Sequence, residues 1–247
     1  MIYLGDKAIG VSHRAFLNWD KVAQGTEDLS MFNNICLSDE VTTIADNAFS
    51  CFPIINITGH GVTRVSYRGF YNCRNLSSIN FENVETVESE AFRYCSHKIA
   101  ARPFPKLKTI GNNAFRDCSI DYVIAPEVTQ IGSDAFYSNQ NLKCTDLGNR
   151  SIVSGFTGTS YCFEQNADCI VILRYGYVLP AVALWFYSNC WLKHPTKPGT
   201  LYVWQDLIDG YQNHAVWGPL LAANGNQILP IEGSVYETEY GDGTPIT

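Results

Sequence analysis

Apolar positions repeat along the chain with a period of 21 to 23 residues. Phenylalanine marks the period, and the successive copies are Phe49, Phe70, Phe92, Phe115 and Phe136. Ala or Gly stands directly before each copy, and an aliphatic residue stands five and again eight positions before it. A period of this length is typical of repeat proteins, in which each copy packs only on its neighbours.

The second half of the repeat adds further apolar positions. The unit reads approximately V-x-x-I-x-x-x-A-F-x-x-C-x-x-L-x-x-I-x-F, and this half is clearest at Leu76, Ile79 and Phe81. One copy cannot bury these side chains alone, whereas stacked copies bury them together, with each Phe on the Phe of the preceding coil. The pattern therefore predicts a repeat solenoid with an internal phenylalanine ladder.

Three cysteines occupy one position of the repeat, three residues after the phenylalanine: Cys73, Cys95 and Cys118. The chain has nine cysteines, none in the CxxC spacing of a zinc knuckle or redox pair. Equivalent positions in stacked coils place thiols along the solenoid axis, about 5 Å apart, instead of at one depth where a metal ion needs its ligands. We predict a buried ladder of reduced cysteines.

The segments VTTIADNAFSCF, LKTIGNNAFRDC and VTQIGSDAF resemble the leucine-rich repeats of the BspA-like, or Treponema pallidum-type, family. The resemblance implies a right-handed leucine-rich-repeat solenoid that is mainly β-structure, with parallel strands and short helical turns. It also implies a C-terminal α/β cap. In that cap we expect a strand at 201–203, a short helix at 205–211, an aromatic residue at Trp217 and a closing strand at 228–231.

The predicted organisation has four parts. Residues 1–40 are an N-terminal cap or a degenerate repeat that ends at Phe16, residues 41–199 are the solenoid, and residues 200–232 are the cap. The period weakens beyond residue 136, where Phe163 and Phe186 are the next candidates. Residues 233–247 are polar and acidic, which favours a flexible tail.

Charge and hydropathy exclude several classes of function. The formal net charge is −7 and the isoelectric point about 5.2, so we expect no nucleic-acid binding, because an acidic surface repels phosphate. No segment approaches the roughly 18 apolar residues of a membrane helix, so we expect no membrane insertion. The opening MIYLGDKAIG lacks the basic start and apolar run of a signal peptide, which argues against export by that route unless a leader was removed.

Motifs of catalysis and metal binding are absent from the sequence. It contains no HExxH, GxSxG, P-loop or dinucleotide-binding fingerprint. A nucleophile could be imagined from Cys162 or Cys190 with His194, but no activating signature accompanies them. We expect no catalytic residue, no cofactor and no metal site.

Surface positions remain as candidates for function. Because strands alternate their faces, residues beside each inward Ile point outward. The candidate concave binding face consists of Asn56, Thr58, Ser78, Asn80, Tyr122, Ile124 and Asp146. This row is either a ligand-binding surface or a solvated sheet. A C-terminal group of aromatic residues, which includes Tyr175 and Trp217, is either the core of the cap or a second contact surface.

The family resemblance favours a non-enzymatic module that binds a protein or a glycan, because solenoids offer a long rigid face and no deep pocket. BspA-like proteins are largely cell-surface adhesion proteins, and similar repeats occur in phage-encoded proteins. The resemblance thus implies a location at a cell surface or on a phage particle. A purely structural spacer or assembly module is the alternative, and an enzyme comes third.

Overall fold

The computed structural model of the chain is a parallel β-solenoid with little helix. It describes residues 2–4, 10–11, 34–80, 82–95, 104–118, 120–139, 141–155, 157–158, 170–179, 198–241 and 245–246. Within these ranges the strands have two to four residues each. The predicted fold class, a mainly β repeat solenoid, is confirmed.

From β1 to β8, and again from β10 to β14, the described strands alternate between two sheets. In chain order they are β1 (Ile2–Leu4), β2 (Gly10–Val11), β3 (Asn34–Leu37), β4 (Thr43–Ile44), β5 (Asn56–Thr58), β6 (Arg64–Val65), β7 (Ser78–Asn80), β8 (Thr86–Val87), β9 (Thr109–Ile110), β10 (Tyr122–Ala125), β11 (Gln130–Ile131), β12 (Cys144–Leu147), β13 (Thr157–Gly158), β14 (Ile170–Leu173), β15 (Thr200–Val203) and β16 (Gln227–Pro230).

These strands form three parallel sheets. The N-terminal sheet has the order β1-β3-β5-β7, and the C-terminal sheet has the order β10-β12-β14-β15-β16. The third sheet, β2-β4-β6-β8-β9-β11-β13, runs behind both of them. Strands β1 and β2 pair in parallel with β3 and β4, so they extend two sheets as a further repeat would.

The phenylalanine rings form a continuous stack inside the solenoid. Neighbouring ring centroids are 5.1–5.4 Å apart and neighbouring planes lie within 9° of parallel. The stack consists of Phe49, Phe70, Phe92, Phe115 and Phe136, each at most 2% exposed. Each backbone N–H from Phe49 to Phe115 donates over 2.8 Å to the carbonyl of the small residue before the next ring. A small residue there permits this close approach: a Cβ atom on Gly69 would lie 2.9 Å from Val65 Cγ1.

The repeated cysteines are buried beside this stack. Each Sγ donates to the backbone carbonyl of a phenylalanine in the preceding coil over 2.8–3.1 Å. The three donors are Cys73, Cys95 and Cys118, at most 3% exposed. Asn139 occupies the same repeat position, and its Nδ2 donates to Phe115 O over 2.7 Å. The position therefore holds a small buried hydrogen-bond donor, not only a small apolar group.

Left-handed backbone conformations flank every Ala-Phe or Gly-Phe pair. Two residues per repeat have φ between 54° and 64°: Asn47 and Cys51, Arg68 and Asn72, Glu90 and Tyr94, Asn113 and Asp117, Asp134 and Ser138. In the first of these turns the N–H groups at 47, 49 and 51 all donate to carbonyls of the following coil. Five of these ten residues are Asn or Asp, which tolerate this region better than other non-glycine residues.

The C-terminal elements follow the predicted order of the cap. After β15, a 3-10 helix at Gln205–Leu207 leads into α-helices at Ile208–Gln212 and Trp217–Ala222, and β16 closes the sheet. Trp217 is buried, and its Nε1 donates to Leu179 O over 3.1 Å. The repeats expected around Phe16, Phe163 and Phe186 lie outside the described residues, as do Cys162, Cys190 and His194.

Candidate binding face of the parallel sheets

The N-terminal sheet presents a row of uncharged polar side chains, here called the polar face. It consists of Asn34, Asn56, Thr58, Ser78 and Asn80, of which Asn34 is exposed and the others half-buried. The strands hold these residues in register, with Asn34 beside Asn56 and Asn56 beside Ser78. Asn56 Nδ2 donates to Asn34 Oδ1 over 2.7 Å. Inward neighbours such as Ile57 are fully buried, so the apolar positions of the repeat fix which side chains point out.

Equivalent positions of the C-terminal sheet are largely apolar and are covered. This covered face consists of Tyr122, Ile124, Cys144, Asp146, Ile170, Ile172 and Tyr202. Two candidates expected to face solvent differ from that expectation, because Ile124 is 3% exposed and Asp146 is 1% exposed. For Asp146 the physical reason is a segment of the chain that packs over it.

That segment comprises residues 234–241 and is here called the C-terminal strap. The sequence predicts a flexible tail in this region, whereas the structure packs the strap against the covered face. Tyr236 meets Tyr202 edge to face, with ring centroids 4.8 Å apart. Gly241 lies so close to Cys144 that a Cβ atom on the glycine would overlap Sγ.

A buried ion pair lies between the covered face and the strap. Arg174 Nε and Nη2 donate to the two carboxylate oxygens of Asp146 over 2.6 and 2.8 Å, and the two side chains are 4% and 1% exposed. The remaining donors of Arg174 reach the strap: Nη1 to Tyr236 O over 2.8 Å and Nη2 to Glu239 O over 2.9 Å. In the opposite sense, Gly241 N donates to Asp146 Oδ2 over 3.1 Å. The pair thus satisfies both carbonyl and amide groups of the strap backbone.

The strap tyrosines are partly desolvated by this packing. Burial raises the pKa of Tyr236 above its ordinary value, and the nearby Cys144 adds to the effect. Burial also raises the pKa of Tyr240, and the negative charge of Asp146 outweighs the opposing effect of Arg174. The guanidinium of Arg174 lies 5.5 Å from the centre of the Tyr240 ring, which is a cation–π distance.

The C-terminal aromatic residues divide between core and surface. Tyr175, Tyr211 and Trp217 are buried within the main core, and Tyr175 Oη donates to Val128 O over 2.7 Å. Tyr202 and Trp204 instead belong to a second hydrophobic cluster on the covered face. Trp185, Phe186 and Trp191 belong to the same sequence group but lie outside the described residues.

A ladder of charges follows the turns that contain the phenylalanines. Arg68, Arg93 and Arg116 alternate with Glu90, Asp117 and Asp134, at nitrogen–oxygen distances of 2.9–3.8 Å. The guanidinium carbons also lie 4.2–4.9 Å from the centres of tyrosine rings. Three positive charges face three negative charges, so the ladder joins consecutive coils without creating a charged docking patch.

The described residues offer few groups that could bind a metal ion or act as a nucleophile. They contain no cluster of three or more His, Cys, Asp or Glu side chains that could hold a metal ion. Burial raises the pKa of Cys73, Cys95 and Cys118, which keeps these thiols protonated and poorly nucleophilic. A cavity of about 500 Å³ beside the cap is lined by Gln212, Gly218, Leu221, Ala222, Asn226, Gln227, Ile228 and Leu229, none of which is ionisable. In the described part of the chain, no helix is both long and apolar enough to cross a membrane.

Solved structures with similar repeats share little sequence with the chain. A leucine-rich repeat protein of T. pallidum is 18% identical, with a TM-score of 0.48 over 66% of this chain and 81% of that one. One from Bacteroides ovatus is 16% identical, with a TM-score of 0.40 over 72% and 59% of the two chains. The pneumococcal vaccine antigen PcpA is 14% identical, with a TM-score of 0.41 over 80% and 41%. The chain therefore spans less than two thirds of the last two proteins, and no function is transferred from any of the three.

The repeat sequence itself is more specific. No protein of curated function shows significant similarity to the chain. Residues 27–143 match the BspA type leucine rich repeat region, in six copies. This range contains all five stacked phenylalanines, from Phe49 to Phe136. Residues 27–143 of the chain thus consist of BspA type leucine-rich repeats.

Proposed function

We propose that the chain is a non-enzymatic interaction module that binds a protein or glycan ligand through its polar face. The BspA type leucine-rich repeats of residues 27–143 support a repeat module that serves interaction. The polar face supplies the place, because it is the part of the candidate row that the strap leaves uncovered.

The observation that carries the proposal is the regular spacing of uncharged hydrogen-bonding groups. Parallel strands set the amides and hydroxyls of the polar face about 4.8 Å apart in the direction across the strands. The side chains are already restrained by one another, as in the Asn56–Asn34 hydrogen bond. Restrained groups lose less conformational entropy when a ligand binds. Their neutrality suits a ligand rich in hydroxyl or amide groups, such as a glycan or a peptide backbone.

The setting of this module is proposed from the family resemblance. An adhesion-type role at a cell surface or on a phage particle fits the rigid, extended face. The alternative is a structural spacer, which the neutral charge ladder and the small side chains of the polar face also support. The two roles differ in one respect. A spacer keeps its function when residues of the polar face are replaced by other polar residues, whereas a binding module loses affinity for its ligand.

A paired binding screen separates these roles. The purified chain would be passed over glycan arrays and candidate host proteins, together with the double variant Asn56→Ala, Asn80→Ala. Lys108→Ala is the matched control, because Lys108 is exposed on the other side and makes a surface pair with Glu85.

If the chain is a binding module, we expect at least one ligand that binds both the wild-type chain and the Lys108→Ala variant. The double variant should lose about tenfold or more in affinity, which corresponds to about 1.4 kcal/mol. Equal binding by all three proteins would place the site away from the polar face. Absence of any retained ligand would favour the spacer.

A further inference from the structure

The C-terminal strap is held on the covered face by contacts that resemble those of a bound peptide. Arg174 binds two strap carbonyls, those of Tyr236 and Glu239, and Asp146 binds the amide of Gly241. These three contacts are made to backbone atoms, which every peptide possesses. Side-chain contacts come from Tyr236 and Tyr240, four residues apart.

The strap contributes little to the interior of the solenoid. The residues of the strap, 234–241, do not belong to the main core cluster, and Tyr236 packs on the second cluster. Val235 is 68% exposed, and Glu237, Thr238 and Glu239 are also exposed. The described strap residues form a short 3-10 turn, Val235–Glu237, and no strand of the C-terminal sheet. Segments with few buried contacts open locally at a small free-energy cost.

The face beneath the strap is also restrained by contacts that do not involve the strap. Arg174 follows β14, Asp146 lies in β12, and the two are joined by bidentate hydrogen bonds between these adjacent strands. Trp204 Nε1 donates to Arg174 O over 2.7 Å, which fixes the backbone from the next strand. A guanidinium held in this way directs its remaining N–H groups outward in one geometry.

We propose that the covered face is a peptide-binding site, in which the Arg174–Asp146 pair binds the main chain of a partner segment that adopts the turned conformation of the strap and carries two tyrosines four residues apart. The C-terminal strap occupies this site in cis until such a segment displaces it. The inference deepens the proposed function, because it gives the other half of the candidate face a partner class. It does not depend on the ligand of the polar face.

The strap itself supplies the probe. A fluorescent peptide with the sequence of residues 234–241, SVYETEYG, would be titrated with the full-length chain and followed by anisotropy. The strap variant, with Tyr236→Ala, Tyr240→Ala and Gly241→Leu, leaves every residue of the covered face unchanged. Val235→Ser is the matched control, because this exposed strap residue is not among those that contact the face.

The expected result follows from competition between strap and peptide. A tethered segment acts at an effective concentration of about millimolar, so the strap suppresses peptide binding to the wild-type chain. The strap variant should bind the peptide at least about tenfold more tightly than the wild-type chain and the Val235 variant. Amide exchange at 234–241 should rise in the strap variant and stay unchanged in the control.

Two further measurements test the main-chain contacts. A peptide with N-methylglycine at its last position lacks the N–H group that donates to Asp146. We expect it to bind the strap variant about tenfold more weakly than the unmodified peptide does. This test leaves the protein untouched. Adding Arg174→Lys to the strap variant should weaken the unmodified peptide similarly, because lysine lacks the planar fork.

Several results would overturn the proposal. These are equal affinity of the peptide for the wild-type and strap variants, absence of binding to either, or indifference to N-methylation. Strap amides that exchange as slowly as the core in every variant would show that the segment is part of the core. A wild-type dimer that the strap variant loses would place the strap on a second copy instead.

Discussion

The polar face and the covered face are built on the same parallel backbone but meet water in different ways. On the N-terminal sheet the outward residues are Asn, Thr and Ser with one cysteine, Cys36, and they remain partly exposed. On the C-terminal sheet the outward positions hold Tyr, Ile and Cys around one buried ion pair, and the chain folds back over them. An apolar outer face of this size is unfavourable in water, so it needs a cover or a partner.

The difference teaches that side chains, and not the repeat backbone, decide what the solenoid face does. Ser78 and Cys144 occupy comparable outward positions at the start of β7 and β12, yet one is half-exposed and the other 4% exposed. The polar half is available to a ligand, whereas the other half is already occupied by the chain itself. The variants below test this contrast, from the largest expected effect to the smallest.

Phe92→Ala tests whether both halves share one core. Phe92 is fully buried and lies between Phe70 and Phe115, so its ring contacts both sides of the stack. We expect a loss of about 4 kcal/mol in the free energy of unfolding, from lost burial and the cavity left behind. Urea denaturation followed by tryptophan fluorescence and by circular dichroism should give coincident transitions. Separate transitions for the two halves would show two independent cores.

Asp146→Ala and Asn80→Ala compare outward positions under and away from the strap. Removing Asp146 leaves the Arg174 guanidinium buried without its carboxylate, which should cost about 3 kcal/mol. Asn80 is half-exposed on the polar face, and its removal should change stability by about 0.5 kcal/mol or less. Chemical denaturation measures both. Similar losses from the two variants would mean that the halves are not differently covered.

Thr145→Val tests an inward position of the C-terminal sheet. Thr145 Oγ1 is buried and has no hydrogen-bond partner among the described residues, whereas its neighbours Val123 and Val171 are apolar. Valine has nearly the shape of threonine, so the exchange removes an unsatisfied hydroxyl with little repacking. We expect stability to rise by about 1 kcal/mol. A loss of stability on thermal or urea unfolding would mean that the hydroxyl is satisfied.

The sequence makes the fold predictable because the repeat is local and is stated five times. The stacked rings, the small residues before them and the order of elements in the cap all follow from spacing or from family resemblance. The left-handed pairs are harder to predict, since residues such as Arg68, Glu90 and Tyr94 occupy them without the usual glycine. The sequence did contain a signal that the repeated cysteine position holds a hydrogen-bond donor. Asn139 occupies the same position of the repeat, and its side chain also donates to a backbone carbonyl.

The site could be predicted only in part. Alternation along strands identifies Asn56, Thr58, Ser78 and Asn80 as outward residues, and the structure leaves them partly exposed. The cover over Asp146 and Arg174 comes from contacts between residues that lie 62 to 95 positions apart in the sequence, so the repeat period does not predict them. An acidic, glycine-containing terminus is typical of a free tail, and its tyrosines become informative only once the covered face is known.

Thiol labelling of Cys36 and Cys144 tests the central contrast most directly. Both lie in outward strand positions, Cys36 half-exposed on the N-terminal sheet and Cys144 buried under Gly241 of the strap. Native chain would be treated with iodoacetamide, and each cysteine followed by peptide mass spectrometry. Cys95, buried in the core with a raised pKa, is the internal reference for thiols that react only on unfolding.

We expect Cys36 to react at least about tenfold faster than Cys144 in the wild-type chain, because labelling of Cys144 must wait for the strap to open. Gly241→Leu should accelerate Cys144 and leave Cys36 and Cys95 unchanged. Equal rates for Cys36 and Cys144 in the wild-type chain, or a Cys144 rate that ignores Gly241→Leu, would contradict the division into a polar face and a covered face.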